Sequence, residues 1–169
     1  FHIGPPRDFD LFNDFKKNKS KDLNESQYLL CTGLFDDHDQ DLNYYKNLLE
    51  KHINKKMICT NPDLIVDRGN KRELCAGSVA MIFEKMGGEV VYFGKPYAEV
   101  YNQSIDNSKK RILSIGDNLN TDIKGANLLN YDSLLILNGV HKEEIKNSNI
   151  DKVSRQYESI VNYMQSDLK

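Results

Sequence analysis

The 169 residues are 28% charged and 39% hydrophobic with a formal net charge of -2, which suits one ordinary soluble domain or two small ones and gives no electrostatic case for a nucleic-acid partner. No apolar run approaches the ~18 residues of a membrane span and no basic-then-apolar leader opens the chain, so a cytoplasmic protein without a membrane partner is expected. Cys31, Cys59 and Cys75 are odd in number, far apart and without histidines at zinc-finger spacing, which points to core packing in a reducing compartment.

In chain order, Phe1 to Gly4 reads as a short strand closed by Pro5-Pro6, and Asp8 as the N-cap of a helix with a core-facing stripe of Phe9, Phe12 and Phe15. Tyr28 to Thr32 is the next strand. The acids that follow, Asp36, Asp37, Asp39 and Asp41, begin like a calcium loop, but Leu42 and Leu48 stand where its glycine and bidentate glutamate belong, so they read as a solvated turn and helix start. That helix carries Leu42, Tyr45, Leu49 and Ile53 on one face. Lys56 to Thr60 is a third strand, ending in the polar loop Asn61-Pro62-Asp63, and Arg68-Gly69-Asn70 is a turn.

Ala76 to Met86 has helical spacing and stops at Gly87-Gly88; Val90 to Phe93 is a strand delivering Gly94-Lys95-Pro96 to a helix with Val100, Tyr101 and Ile105 on one face. Ser133 to Leu137 reads as a buried strand and Ser154 to Met164 as a final helix with Tyr157, Ile160, Val161 and Met164 inward. Strands alternating with helices predict a largely parallel α/β sheet with right-handed crossovers.

The stretch Arg111 to Gly125 concentrates the chemistry. Ile112 to Ile115 has the length of a buried strand, and Gly116-Asp117-Asn118 sets a carboxylate at its carboxyl end, where open α/β sheets bind ligands. Asn120 or Thr121 then offers a helix N-cap, with Asp122 in the first turn. Asp117 has two readings: ordinary turn chemistry, or part of a magnesium site, since Mg2+ takes one or two carboxylates, keeps waters and accepts phosphate oxygens. Lys95 is a solvated lysine in one reading. In the other, it follows a glycine at a strand end and supplies a point charge to a phosphate held at the same sheet edge.

Gly94-Lys95-Pro96 followed by Gly116-Asp117-Asn118-Leu119-Asn120-Thr121-Asp122-Ile123 resembles motifs three and four of the haloacid dehalogenase-like phosphohydrolases, type IIA, whose α/β cap is inserted before the motif-three lysine. Asn61-Pro62-Asp63, Cys75-Ala76-Gly77 and Phe1-His2-Ile3-Gly4 with Arg7-Asp8 extend the resemblance over nearly the whole chain, the last two looking like an uncharacterised branch. The resemblance implies a three-layer Rossmann-like core with an inserted cap: residues 1–93 the cap, 94–169 the carboxyl-terminal half of the core. It implies Mg2+ as cofactor and a small phosphorylated substrate, with a homo-oligomer formed through the cap. Asp117 would ligate the metal, Asp122 brace it, and Lys95 steady the phosphoryl group and aspartyl intermediate; Gly94, Gly116, Asn118 and Thr121 would shape the phosphate loop, and Asn61 and Asp63 face the leaving group.

The family's aspartate-x-aspartate-glycine motif has no counterpart here. Asp8-Phe9-Asp10 and Asp37-His38-Asp39 have the spacing without the glycine, so the chain is expected to be a carboxyl-terminal portion that is inactive alone. Two other readings are a phosphorylation receiver, disfavoured because its lysine would follow the acceptor strand, and a catalytically silent phosphate- or partner-binding module of the same fold.

Overall fold

In the computed structural model, which describes residues 1–105 and 111–168, the apolar runs that precede the polar loops are parallel strands. The chain divides into two units, Phe1–Phe93 and Gly94–Lys169.

The first unit holds β1 (His2–Ile3), β2 (Tyr28–Cys31), β3 (Lys56–Cys59), the hairpin strands β4 (Ile65–Arg68) and β5 (Lys71–Leu74), and β6 (Glu89–Tyr92). Its parallel sheet has the order β1-β2-β3-β6. Register pairs Leu29 with Met57 and Cys31 with Cys59, so alternate residues of neighbouring strands point to one face. There they meet helices α1 (Leu42–Leu49) and α2 (Ala76–Lys85), and Ile3, Leu29, Met57, Tyr45, Leu49, Val79 and Phe83 are fully buried. The acids before α1 do start it: the Asp41 side chain accepts from Tyr44 N at 3.1 Å. All three cysteines are free and buried, and burial pushes the Cys59 thiol up to about 11 and that of Cys31 well above its usual value, which keeps both protonated and inert.

One expectation fails in this unit, and the strands on either side of a correctly expected turn were not anticipated. The phenylalanine stripe is not core: Pro6–Asn18 is a kinked 3₁₀ segment capped by Pro5, with Phe9 39% and Phe15 67% exposed. Their i, i+3 spacing is the one that lines up on a 3₁₀ helix, and Phe9 and Phe12 pack on each other and on the ring of His2, with the Lys19 ammonium over Phe9. The turn at Gly69-Asn70 is the tip of the β4–β5 hairpin, whose charged flanks Asp67, Arg68, Lys71 and Arg72 hid the strands from an apolar-pattern reading.

The second unit contains α3 (Ala98–Ser104), β7 (Leu113–Gly116), a π-helical turn (Leu119–Ile123) running into α4 (Lys124–Leu128), β8 (Asp132–Ile136), α5 (Lys142–Asn147), α6 (Ile150–Gln156) and β9 (Tyr163–Gln165). Its parallel sheet has the order β7-β8-β9, packed on Leu119, Ile123, Leu135 and Val153. β7 is less buried than its sequence predicts, because it lies at the sheet's edge, with Leu113 47% and Ile115 49% exposed. The expected helix over Ser154 to Met164 is also corrected: α6 stops at Gln156, and Tyr163–Gln165 is a strand. Tertiary hydrogen bonds take this segment out of the helix. Ser159 Oγ donates to Leu119 O at 2.8 Å, Asn127 bonds both backbone groups of Ile160, and Ser133 N donates to the Asn162 side chain at 2.9 Å. Among the described residues, no helix is long and apolar enough to cross a membrane.

Candidate active site

Beyond β7 the chain turns on its own side chains. Asn118 Oδ1 accepts from Asn120 N at 2.9 Å, and Asp122 N donates to Asn118 O at 3.0 Å, which folds the π-helical turn back on the strand end. Thr121 and Asp122 are thereby buried, Asp122 to 6% exposure. A carboxylate in that position needs compensation. It receives two: Asn118 N donates to Oδ2 at 3.1 Å, and Lys95 Nζ pairs with Oδ1. Residues 27 apart in sequence thus form one ion pair, with the lysine side chain 44% exposed and its carboxylate partner 8%. Gly116 lies so close to Asp122 that a Cβ there would collide with the carboxylate. Gly94, at φ +112°, makes the turn that presents Lys95, closed by Tyr97 N donating to Gly94 O at 2.9 Å.

Asp117 faces a different wall. Its Oδ2 accepts from Val140 N at 3.1 Å, and its carboxylate sits against Gly139, leaving no room for a Cβ. The loop after β8 is therefore part of the site, which motif reading missed. The available signal was Asn138-Gly139, a polar break directly after a buried strand. Next in that loop, His141 is 4% exposed and tied through Nδ1 to Glu144 at 3.3 Å, its ring against Tyr157. Tyr101 was read only as an apolar helix residue. Its hydroxyl is buried against Gly125, and burial followed by the Asp122 charge raises its pKa.

Asn61 and Asp63 belong to the other unit. Asn61 Oδ1 accepts from Asp63 N at 3.1 Å, and Asp63 O accepts from Gly77 N at 3.2 Å, which fastens the loop after β3 to the start of α2. Among the described residues, no three carboxylate, histidine or cysteine side chains converge as a metal-binding set. Mg2+ does not require three, because one or two carboxylates with waters and substrate oxygens suffice. Asp117 fits that role, with Oδ2 held by Val140 N. Asp122 is engaged at both oxygens and fits a bracing role instead.

Residues 92–162 match the HAD-hydrolase-like family model. Among solved structures, a haloacid dehalogenase-like hydrolase from Brucella suis is 31% identical with a TM-score of 0.82, the match covering 100% of this chain and 65% of that one. A possible sugar phosphatase from Cytophaga hutchinsonii is 26% identical (TM-score 0.56, 88% and 54% covered), and a 4-nitrophenylphosphatase from Thermotoga maritima shares the fold at 22% identity (TM-score 0.63, 99% and 61% covered). The chain thus spans between about half and two thirds of the length of these proteins. A search of curated proteins returned no match. The matched segment contains Lys95, Asp117, Asp122 and strands β7 and β8, and it is over this segment that the chain is similar to the haloacid dehalogenase-like hydrolases.

Proposed function

We propose that the whole protein is a magnesium-dependent phosphomonoester hydrolase of type IIA, with Phe1–Phe93 as its inserted α/β cap and Gly94–Lys169 as the carboxyl-terminal half of the catalytic core. The observation that carries this reading is the Lys95–Asp122 pair formed beside the Gly116-Asp117-Asn118 turn at the carboxyl end of β7. A buried carboxylate holds the ammonium in place, so Lys95 meets phosphoryl oxygens without reorganising, the arrangement that makes electrostatic stabilisation effective.

Asp117 is the residue that would hold Mg2+, oriented by Val140 N; the ion, when bound, supplies positive charge to the transferring phosphoryl group. Lys95 would bind the same group and steady the aspartyl intermediate. Gly94, Gly116, Asn118 and Thr121 keep the two loops in register, and Asn61 and Asp63 face the leaving group from the cap. The nucleophilic aspartate comes from outside this chain, and the chain alone is inactive. The test is phosphate release from 4-nitrophenyl phosphate by the full-length protein with and without Mg2+. Lys95→Met should lower kcat by roughly 10²-fold or more. Metal-independent release, or release unchanged in Lys95→Met and Asp117→Asn, would reject the assignment.

A further inference from the structure

The loop after β8 carries a second layer of contacts behind Asp117. Lys142 N donates to Gly139 O at 3.0 Å, and His141 has φ −96° and ψ 11°, the dihedrals of the third position of a type I turn. Val140 is the second residue of that turn. Its N–H takes no part in closing the turn and donates outward to Asp117 Oδ2. The turn's planar peptides leave few free dihedrals, so whatever holds His141 also steadies the donor one residue before it.

His141 is held by more than packing. Its ring is buried, with Nδ1 3.3 Å from Glu144 Oε2. A carboxylate oxygen accepts, so Nδ1 carries the proton and Nε2 is left as a bare acceptor. That Nε2 is buried without a hydrogen-bond partner among the described residues. An apolar side chain would fill the same space without stranding an acceptor, so close packing does not account for an imidazole here. What the imidazole adds is the Nδ1 donor.

Glu144 passes the constraint on. Its other oxygen accepts from the Tyr157 hydroxyl at 3.2 Å, and the His141 and Tyr157 rings meet edge to face with centroids 4.6 Å apart. His141 caps the start of α5 and Tyr157 the end of α6, so one carboxylate joins the two. Two residues after Tyr157, Ser159 Oγ donates to Leu119 O at 2.8 Å, in the π-helical turn that follows Asp117. The contacts thus close a ring within the second unit. It runs from the Asp117 carboxylate by Val140 to His141, through Glu144 to Tyr157, and by Ser159 back to the backbone two residues beyond Asp117.

We propose that His141 is a positioning residue for Asp117: bonded to Glu144, it holds the turn whose Val140 amide orients the carboxylate assigned above to Mg2+. The consequence for Mg2+ rests on that assignment; the clamp on Val140 does not. The first measurement is amide hydrogen exchange in the metal-free full-length protein, with the Leu135 amide in β8 as the reference for the unit as a whole. In His141→Leu, which removes the donor and keeps an apolar side chain, Val140 exchange should quicken by about tenfold relative to Leu135. Glu144→Ala should do the same, and because Glu144 is half exposed this variant keeps the fold even where His141→Leu does not. His141→Asn, which offers an amide nitrogen as donor in place of Nδ1, should restore most of the protection. The second measurement is Mg2+ affinity by calorimetry, which should fall about tenfold in His141→Leu, the scale of losing a group that orients a metal ligand, and recover in His141→Asn. Val140 and Leu135 exchanging faster together, or Val140 unchanged in both His141→Leu and Glu144→Ala, would mean that His141 serves stability alone and overturns the proposal. So does a Mg2+ affinity that is lost in Asp117→Asn but untouched in His141→Leu. A wild-type protein that binds no Mg2+ yet shows the selective change at Val140 removes the metal assignment and leaves the clamp standing.

Discussion

The backbone N–H of Val140 donates to Asp117 Oδ2 at 3.1 Å, so the loop after β8 sets the tilt of the carboxylate that ends β7. Asp117→Asn removes the charge a hard cation requires while nearly keeping the shape. Mg2+ affinity measured by calorimetry on the full-length protein should fall by about tenfold or more, whereas Gly139→Ala, which keeps the charge but displaces the carboxylate, should weaken it less. Equal affinity in wild type and Asp117→Asn would return Asp117 to a turn residue.

Lys95→Met leaves the Asp122 carboxylate buried, still bonded by the Asn118 amide but without its ammonium partner. Removing one member of such a pair costs more than the pair contributes, about 2 kcal/mol here because the lysine is half exposed to water. Denaturant titration of the variant should show that loss, and Asp122→Asn in the same background should recover part of it. A Lys95→Met protein as stable as wild type would mean that solvent already screens the pair.

His2 gives the fold a pH dependence of defined sign. Burial, reinforced by Lys19 and opposed by Asp8, lowers its pKa from 6.5 to about 4. Between those values the unfolded chain binds a proton that the folded chain excludes, so stability falls as the pH drops from 6.5 towards 4. The contribution is complete above pH 6.5 and amounts to about 3 kcal/mol at most. Melting temperatures across this window should slope less steeply in His2→Gln; an identical slope would assign the acid sensitivity to other groups.

The chain alone is expected to release no phosphate from aryl phosphates above background, even with saturating Mg2+. Charge stabilisation lowers the barrier only for a nucleophile that is aligned, and the two aspartate pairs with nucleophile-like spacing lie in the first unit. Asp8 is engaged by Thr32 there, and Asp37 is a solvent-facing residue of a 3₁₀ turn. Activity of the purified chain that disappears in Asp8→Asn or Asp37→Asn would place the nucleophile in this unit.

The sequence made the sheet and the strand-end loops legible because those features are local. Four-residue apolar runs followed by Gly, Asn or Asp identified β2, β3, β6, β7 and β8 to within a residue or so. What it concealed was non-local. Val140 meets Asp117 through a backbone amide that has no residue signature, and β9 exists because Ser159, Asn127 and Ser133 hold a segment whose own periodicity is helical. Exposure was concealed as well. Phe9, Phe15, Leu113 and Ile115 are apolar by type, but which of them is covered depends on what packs on the far side of the element.

Among the described residues, no strand pairs with the outer ladder of β7, where Leu113 and Ile115 lie half exposed. An open ladder with apolar side chains is a template on which another strand adds, whichever molecule supplies it. Light scattering of the purified chain should therefore rise with concentration, and a lysine at position 113 or 115 should suppress the rise without loss of fold. The practical consequence is colloidal: an open strand edge of this kind favours self-association, and binding measurements on the chain belong at high dilution.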